Sequence, residues 1–223
     1  MKQDLTTIPI SEVFEPRDGC PLCRLRDMLE DRVTEYIMGA AMMEPDIRIE
    51  TNKQGFCYTH YRMQLARRNR LSVALTLETR LDELEKQVFG GLPMGRDARA
   101  AAAQAGCFVC REVDTTMEKM IATVCRQWEA DREFRELFDE QPYICLPHYT
   151  ALCGASSRMS RKYAAAFTKA AAELCRNHLK ALREDVNHFT RMFDYRNSGP
   201  DADWGNSRDA IERAVRFLTT REP

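Results

Sequence analysis

The chain has 223 residues, 44% of them hydrophobic and 30% charged, with a formal net charge of -1. That composition belongs to a globular protein long enough to bury a core, and it excludes a disordered polyelectrolyte. Charge is balanced along the length as well: 15 Lys/Arg against 16 Asp/Glu in residues 1–105, and 18 against 18 in residues 106–223. No long-range field for gathering nucleic acid or an anionic membrane arises from such a distribution.

The opening MKQDLTTIPISEVFEP has no apolar run of signal-peptide length, and no stretch approaches the roughly 20 apolar residues of a bilayer span. The expectation is a cytoplasmic chain without a membrane segment, in which nine cysteines serve as thiols or metal ligands rather than as a disulfide framework.

Gly19-Cys20-Pro21-Leu22-Cys23 opens the first long helical pattern, with apolar positions at Leu22, Leu25, Leu29, Val33 and Ile37. The polar stretch Glu44-Pro45-Asp46-Ile47-Arg48-Ile49-Glu50-Thr51-Asn52 reads as an irregular loop that lines a cleft or positions Cys57. Cys57-Tyr58-Thr59-His60 then leads into a short helix and a longer one. The longer helix carries a stripe at Val73, Leu77, Leu81, Leu84 and Val88, and stops at Gly90-Gly91-Leu92-Pro93. Residues 90–99 form a linker into a short alanine-rich helix over 98–105.

Gly106-Cys107-Phe108-Val109-Cys110 begins another helix, with Val113, Met117, Ile121, Val124 and Trp128 on one face. Cys145-Leu146-Pro147-His148 again precedes a short helix and a long one. The stripe of the long helix runs through Met159, Tyr163, Phe167, Ala170, Leu174, His178, Leu182, Val186, Phe189 and Phe193 to about Tyr195, a reach of roughly 55 Å. Asn197-Ser198-Gly199-Pro200 ends it. In the tail, Trp204 is expected to dock on the body, and Ser207 to cap a last helix with Ile211, Val215 and Leu218 facing inward.

Four motifs thus recur in the same order. Cys-x2-Cys is followed by Cys-x2-His after 33 intervening residues in the first instance and 34 in the second, at offsets of 87 and 88. The pattern predicts an all-α helical bundle made from a duplicated unit. Residues 1–92 form the first repeat and 93–196 the second with its long helix, while 197–223 form a tail packed on the body.

Three thiolates and one imidazole are a standard structural set for zinc. The sequence order assigns one site to each repeat: Cys20, Cys23, Cys57 and His60 in the first, Cys107, Cys110, Cys145 and His148 in the second. Two Zn2+ per chain follow, with an iron–sulfur cluster as the alternative. Four protein ligands close the coordination sphere, and no catalytic motif accompanies them, so no reaction is specified. Cys125, Cys153 and Cys175, with His178 and His188, read as packed or hydrogen-bonded side chains. Arg62, Arg67, Arg68 and Arg70, and again Arg158, Arg161 and Lys162, form basic clusters after the two Cys-x2-His motifs. They read as a solvated face, with phosphate binding as the alternative.

Ile8-Pro9-Ile10, Gly19-Cys20-Pro21-Leu22-Cys23, Met43 to Asn52 with Gly55-Phe56-Cys57, and Phe193-Asp194-Tyr195-Arg196-Asn197 with Trp204-Gly205 together resemble a bacterial family of unknown function found in gut anaerobes of the clostridial type. The resemblance spans the whole chain. It implies a bacterial cytoplasmic setting and carries no activity, and an anaerobic host keeps iron–sulfur chemistry in contention. The resulting expectation is a zinc-binding, non-enzymatic interaction or adaptor module that binds a protein partner or forms a homodimer. A nucleic-acid-binding regulator acting near Arg67 and Arg161, and an iron–sulfur or thiol redox protein, are the alternatives.

Overall fold

The computed structural model describes residues 8–194, 196–197, 199 and 202–221, without the side chains of Ile8, Pro9, Ala40 and Met42. Tyr195, Ser198 and Pro200 of the tail therefore lie outside the described residues. Those described hold eleven α-helices and no strand. No helix among them is long and apolar enough to cross a membrane.

The helices are α1 (Ile8–Phe14), α2 (Pro21–Met38), α3 (Pro45–Gln54), α4 (Tyr58–Ala66), α5 (Arg70–Leu84), α6 (Arg96–Gln104), α7 (Phe108–Ala130), α8 (Arg132–Asp139), α9 (Leu146–Ser156), α10 (Arg161–Arg191) and α11 (Ala210–Thr219). They divide into two compact units. One comprises Met1–Leu25 with Glu118–Pro223, the other Arg26–Met117, so the boundaries fall inside α2 and α7.

The first unit has an aromatic core. Asp131 caps α8 by accepting from the backbone N–H of Glu133 and Phe134. That starts a helix whose Phe134 and Phe138, one turn apart, are wholly buried. Helix α8 is absent from the periodicity-based expectation, although a capping Asp followed by two phenylalanines four apart is a visible signal. Phe14 of α1 sits 5.1 Å from Phe134 and 5.9 Å from Phe138, ring centre to ring centre. Phe167 of α10 closes the cluster against Phe138 and Trp128.

At 31 residues α10 is one uninterrupted helix of about 46 Å. Helix α11 packs on α9 and α10 with a different face from the one expected. Ala210 and Phe217 are buried, whereas Ile211 and Leu218 are about half exposed. Phe217 decides the rotation, because its ring meets Tyr143 and His178 and buries more apolar area than Ile211 would. Ser207 is buried, but its hydroxyl donates to Trp204 O and does not cap α11, where Asp209 takes the N-cap position. Trp204 does dock: its ring meets Phe189 and Phe193 edge-on, and Arg208 lies over it.

The second unit contains two departures from the expected pattern. Residues Pro45–Gln54 are helix α3, not a loop. Pro45 has the φ of a first helical residue and lacks only an N–H that would have no partner there, and Gly55 at φ 63 ends the helix. Arg48 ties α3 to α5 by donating to Leu75 O and Thr79 Oγ1.

Helix α5 turns a largely polar face inward. Ser72, Val73, Thr76 and Arg80 are buried, while Leu81 is 61% exposed. Arg80 explains the rotation. Its guanidinium donates to Asn52 O and Lys53 O in the last turn of α3, and to Ala103 O in the last turn of α6. A cation that pairs the terminal carbonyls of two helices outweighs the burial of one leucine. Gly55 leaves room for it, since a Cβ there would come within 3.0 Å of Arg80 Nε.

Replacing Arg80 with Ala is expected to destabilise the protein by about 3 kcal/mol or more, because several charge-assisted hydrogen bonds are lost together. Leu81→Ala is expected to cost no more than about 0.5 kcal/mol. Denaturant unfolding of the two variants beside the parent checks the pair.

Candidate metal centres

Each Cys-x2-Cys and each Cys-x2-His sits at the beginning of a helix. Cys20 immediately precedes α2, and its carbonyl accepts from the N–H groups of Cys23 and Arg24, so both sulfurs issue from one tight turn. Cys107 precedes α7 in the same way and accepts from Arg111 N. Cys57 and Cys145 are the extended N-cap residues of α4 and α9, which puts His60 and His148 three residues on, in the first turn.

Two clusters result, and each draws on both repeats. Cys20 and Cys23 gather with Cys145 and His148, and Cys57 and His60 gather with Cys107 and Cys110, the ligand atoms of each group lying within 4.8 Å of one another. All eight predicted residues are thus brought together, with their partners exchanged. The expected grouping of Cys20 and Cys23 with Cys57 and His60 does not occur. Each cluster lies inside one compact unit. Among the described residues no third such cluster forms.

In the first cluster Cys23 Sγ is 3.5 Å from Cys145 Sγ, and His148 Nδ1 is 3.1, 3.5 and 3.7 Å from the sulfurs of Cys145, Cys23 and Cys20. In the second, His60 Nδ1 is 3.1, 3.2 and 3.5 Å from Cys57, Cys107 and Cys110, and the sulfurs of Cys57 and Cys110 are 3.9 Å apart. A tetrahedron with zinc–sulfur bonds of about 2.3 Å and a zinc–nitrogen bond of about 2.0 Å has edges of about 3.8 Å between sulfurs and about 3.5 Å from sulfur to nitrogen. The donor sets fit such an ion. Both imidazoles present Nδ1.

The electrostatics match. Two helix N-termini, α2 with α9 and α4 with α7, converge on each cluster, where partial positive charge favours a centre of three thiolates around a dication, net -1. Protons alone serve the first cluster poorly. Although burial opposes its ionisation, hydrogen bonds from Cys145 and Cys23, with His148 adjacent, hold the Cys20 thiol well below its usual range. The Cys145 and Cys20 sulfurs push Cys23 up, and the Cys20 sulfur together with burial pushes Cys145 up to about 12. In the second cluster, burial and then Cys107 and Cys57 push Cys110 up to about 12.

Burial separates the two. Cys20, Cys23, Cys145 and His148 are all buried, whereas Cys57, Cys107 and Cys110 are half-buried around a fully buried His60. The second cluster also has a carboxylate that sequence reasoning missed. Glu30 of α2 places Oε1 3.8 Å from His60 Nε2. Nothing in the local pattern singles out Glu30 among the acids of α2, and its role becomes visible only once α2 and α4 are seen side by side.

The family model for a family of unknown function, DUF6062, matches residues 1–223, the whole chain. The protein belongs to DUF6062. No curated protein and no solved structure matches the chain.

In this DUF6062 member the other candidate residues stand apart from the clusters. Cys125 and Cys175 are buried and Cys153 is half-buried. His178 stacks on Tyr143 at 3.8 Å, and His188 Nε2 donates to Asp203 O. Arg67 pairs with Asp31, Arg62 lies over Tyr58, and Lys162 lies over Tyr163. A cavity of about 330 Å³ beside the Trp204 loop is lined by His188, Arg191, Met192, Asn197 and Asp203.

The exchanged grouping is checked by counting metal in double variants. Cys57→Ser with Cys107→Ser is expected to lose one ion per chain, because both residues serve one cluster. Cys57→Ser with Cys20→Ser is expected to lose two. Grouping within each repeat would reverse the counts.

Uptake by the first cluster should release about two protons near neutral pH, those of Cys23 and Cys145, whose raised thiols are protonated there without metal. Because binding expels protons, affinity rises with pH, by about 100-fold per unit for two protons. Calorimetry in buffers of different ionisation enthalpy measures the release.

Proposed function

We propose that the protein is a zinc-binding, non-enzymatic helical module in which two structural Cys3His centres hold a surface for a protein partner or a second copy of the chain. The observation that carries this reading is the presence of two closed donor sets, each of three sulfurs and one imidazole nitrogen at tetrahedral spacing. A dication in either cluster is enclosed by protein ligands, with no position for an activated water or a substrate. Its contribution is to folding, of about 10 kcal/mol or more in isolated zinc modules. With the metals enclosed, the protein acts through its surface, and a cytoplasmic setting keeps the cysteines reduced for ligation.

Elemental analysis with a visible spectrum, on untagged protein purified anaerobically, tests the proposal. About two zinc ions per chain in colourless protein is the expected result. Iron with a broad band near about 400 nm would replace the zinc reading with an iron–sulfur one. No metal in protein that stays folded would remove both.

A further inference from the structure

Glu30 lies seven residues beyond Cys23 on α2 and is only 5% exposed. A carboxylate so deeply placed requires compensating partners. Its Oε1 is 3.3 Å from Arg26 Nε, one turn back on the same helix, and 3.8 Å from Nε2 of His60 on α4. Arg26 extends its other arm to Asp114 of α7, with Nη1 3.0 Å from Oδ1. His60 is wholly buried and turns Nδ1 toward the sulfurs of Cys57, Cys107 and Cys110. The two ring nitrogens of one imidazole thus face three sulfurs on one side and a carboxylate on the other.

We infer that Glu30 is the positioning residue of the second centre, holding the His60 proton on Nε2 so that Nδ1 offers its lone pair to the metal. The inference rests on the reading of the clusters as metal centres. A neutral imidazole carries one N–H, and the tautomer that binds through Nδ1 is the one protonated at Nε2. A carboxylate 3.8 Å from Nε2, at ion-pair range and longer than a hydrogen bond, favours that tautomer through its charge and makes the opposite nitrogen a better donor. Arg26 sits within ion-pair distance of Glu30, and Asp114 holds Arg26 from the other side. The arrangement is particular to one repeat. Seven residues after Cys110, at the position equivalent to Glu30, the second repeat has Met117, which cannot accept the proton of an imidazole. The role is therefore selective: it serves one centre of the two.

The test uses the full-length protein loaded with zinc alone, with Glu30→Gln as the variant, because glutamine keeps the volume and removes the charge. In competition with a chromophoric chelator, one of the two zinc ions is expected to bind about 10- to 100-fold more weakly than in the parent, and the other with unchanged affinity. Nitrogen–proton NMR of the rings supplies a readout that a merely structural role would not move. The parent is expected to show His60 protonated at Nε2, with an N–H resonance that shifts when the charge is removed in Glu30→Gln. Unchanged affinities, or equal weakening of both ions, would overturn the assignment. Should Glu30→Gln not fold, the parent spectrum decides alone: a proton on Nδ1, or an Nε2–H shift like that of a histidine without a carboxylate neighbour, refutes the role. A parent protein that takes up no zinc would refute the metal reading itself. Two zinc ions with an indifferent Glu30→Gln would refute only the role of Glu30.

Discussion

The constraint around which each unit is arranged is the gathering of three sulfurs and one imidazole nitrogen within 4.8 Å. Bringing them together requires two helix N-termini to point at one spot, which concentrates positive partial charge and selects for an anionic centre. The chain meets this requirement twice with the same local device, a tight Cys-x2-Cys turn facing an N-cap cysteine followed by a first-turn histidine. What differs is the distance along the chain that each cluster closes: His60 to Cys107 spans 47 positions, and Cys23 to Cys145 spans 122. A metal bound across such separations would remove freedom from the unfolded chain as well as add contacts to the folded one.

The two units build their interiors from different materials. The first relies on large aromatic area, with Phe14, Phe134, Phe138 and Phe167 wholly buried around its helices. The second buries Glu30, Thr34, Thr51, His60, Gln64, Ser72, Thr76 and Arg80. Several of these satisfy groups that helix geometry leaves open. Arg80 answers the terminal carbonyls of α3 and α6, and Ser72 and Asn69 donate to Met38 O at the end of α2. Short helices have a high proportion of unsatisfied ends, so a unit made of several of them consumes polar side chains where a single long helix such as α10 needs few.

The helical nature of the chain and the eight residues that gather in the two clusters were legible in the sequence. Periodicity near 3.6 marks a helix wherever a buried stripe is apolar, and Cys-x2-Cys and Cys-x2-His spacings reflect local turn geometry. Periodicity misleads where a residue's partner is remote. Leu81 fitted an apolar stripe on α5, yet Arg80 next to it had carbonyls to reach, and the helix is rotated accordingly. Glu44 to Asn52 looked irregular because α3 exposes Ile49 and buries Thr51, a weak amphipathic pattern that hides a helix begun by Pro45. Ile211 and Leu218 matched a stripe on α11 that Phe217 outbids through its contacts with Tyr143 and His178.

By itself the sequence determined which residues sit at helix starts and which atoms they offer, because capping, turn formation and ligand type depend on neighbours within a few positions. The nearly equal spacing of the motifs in the two instances makes grouping within an instance and exchange between them both compatible with local geometry. Only the tertiary structure decided for exchange, by bringing the ligand residues at the starts of α2 and α9 together, and those at the starts of α4 and α7. It alone placed Glu30 behind His60, because a carboxylate and an imidazole thirty positions apart become neighbours only when two helices lie side by side.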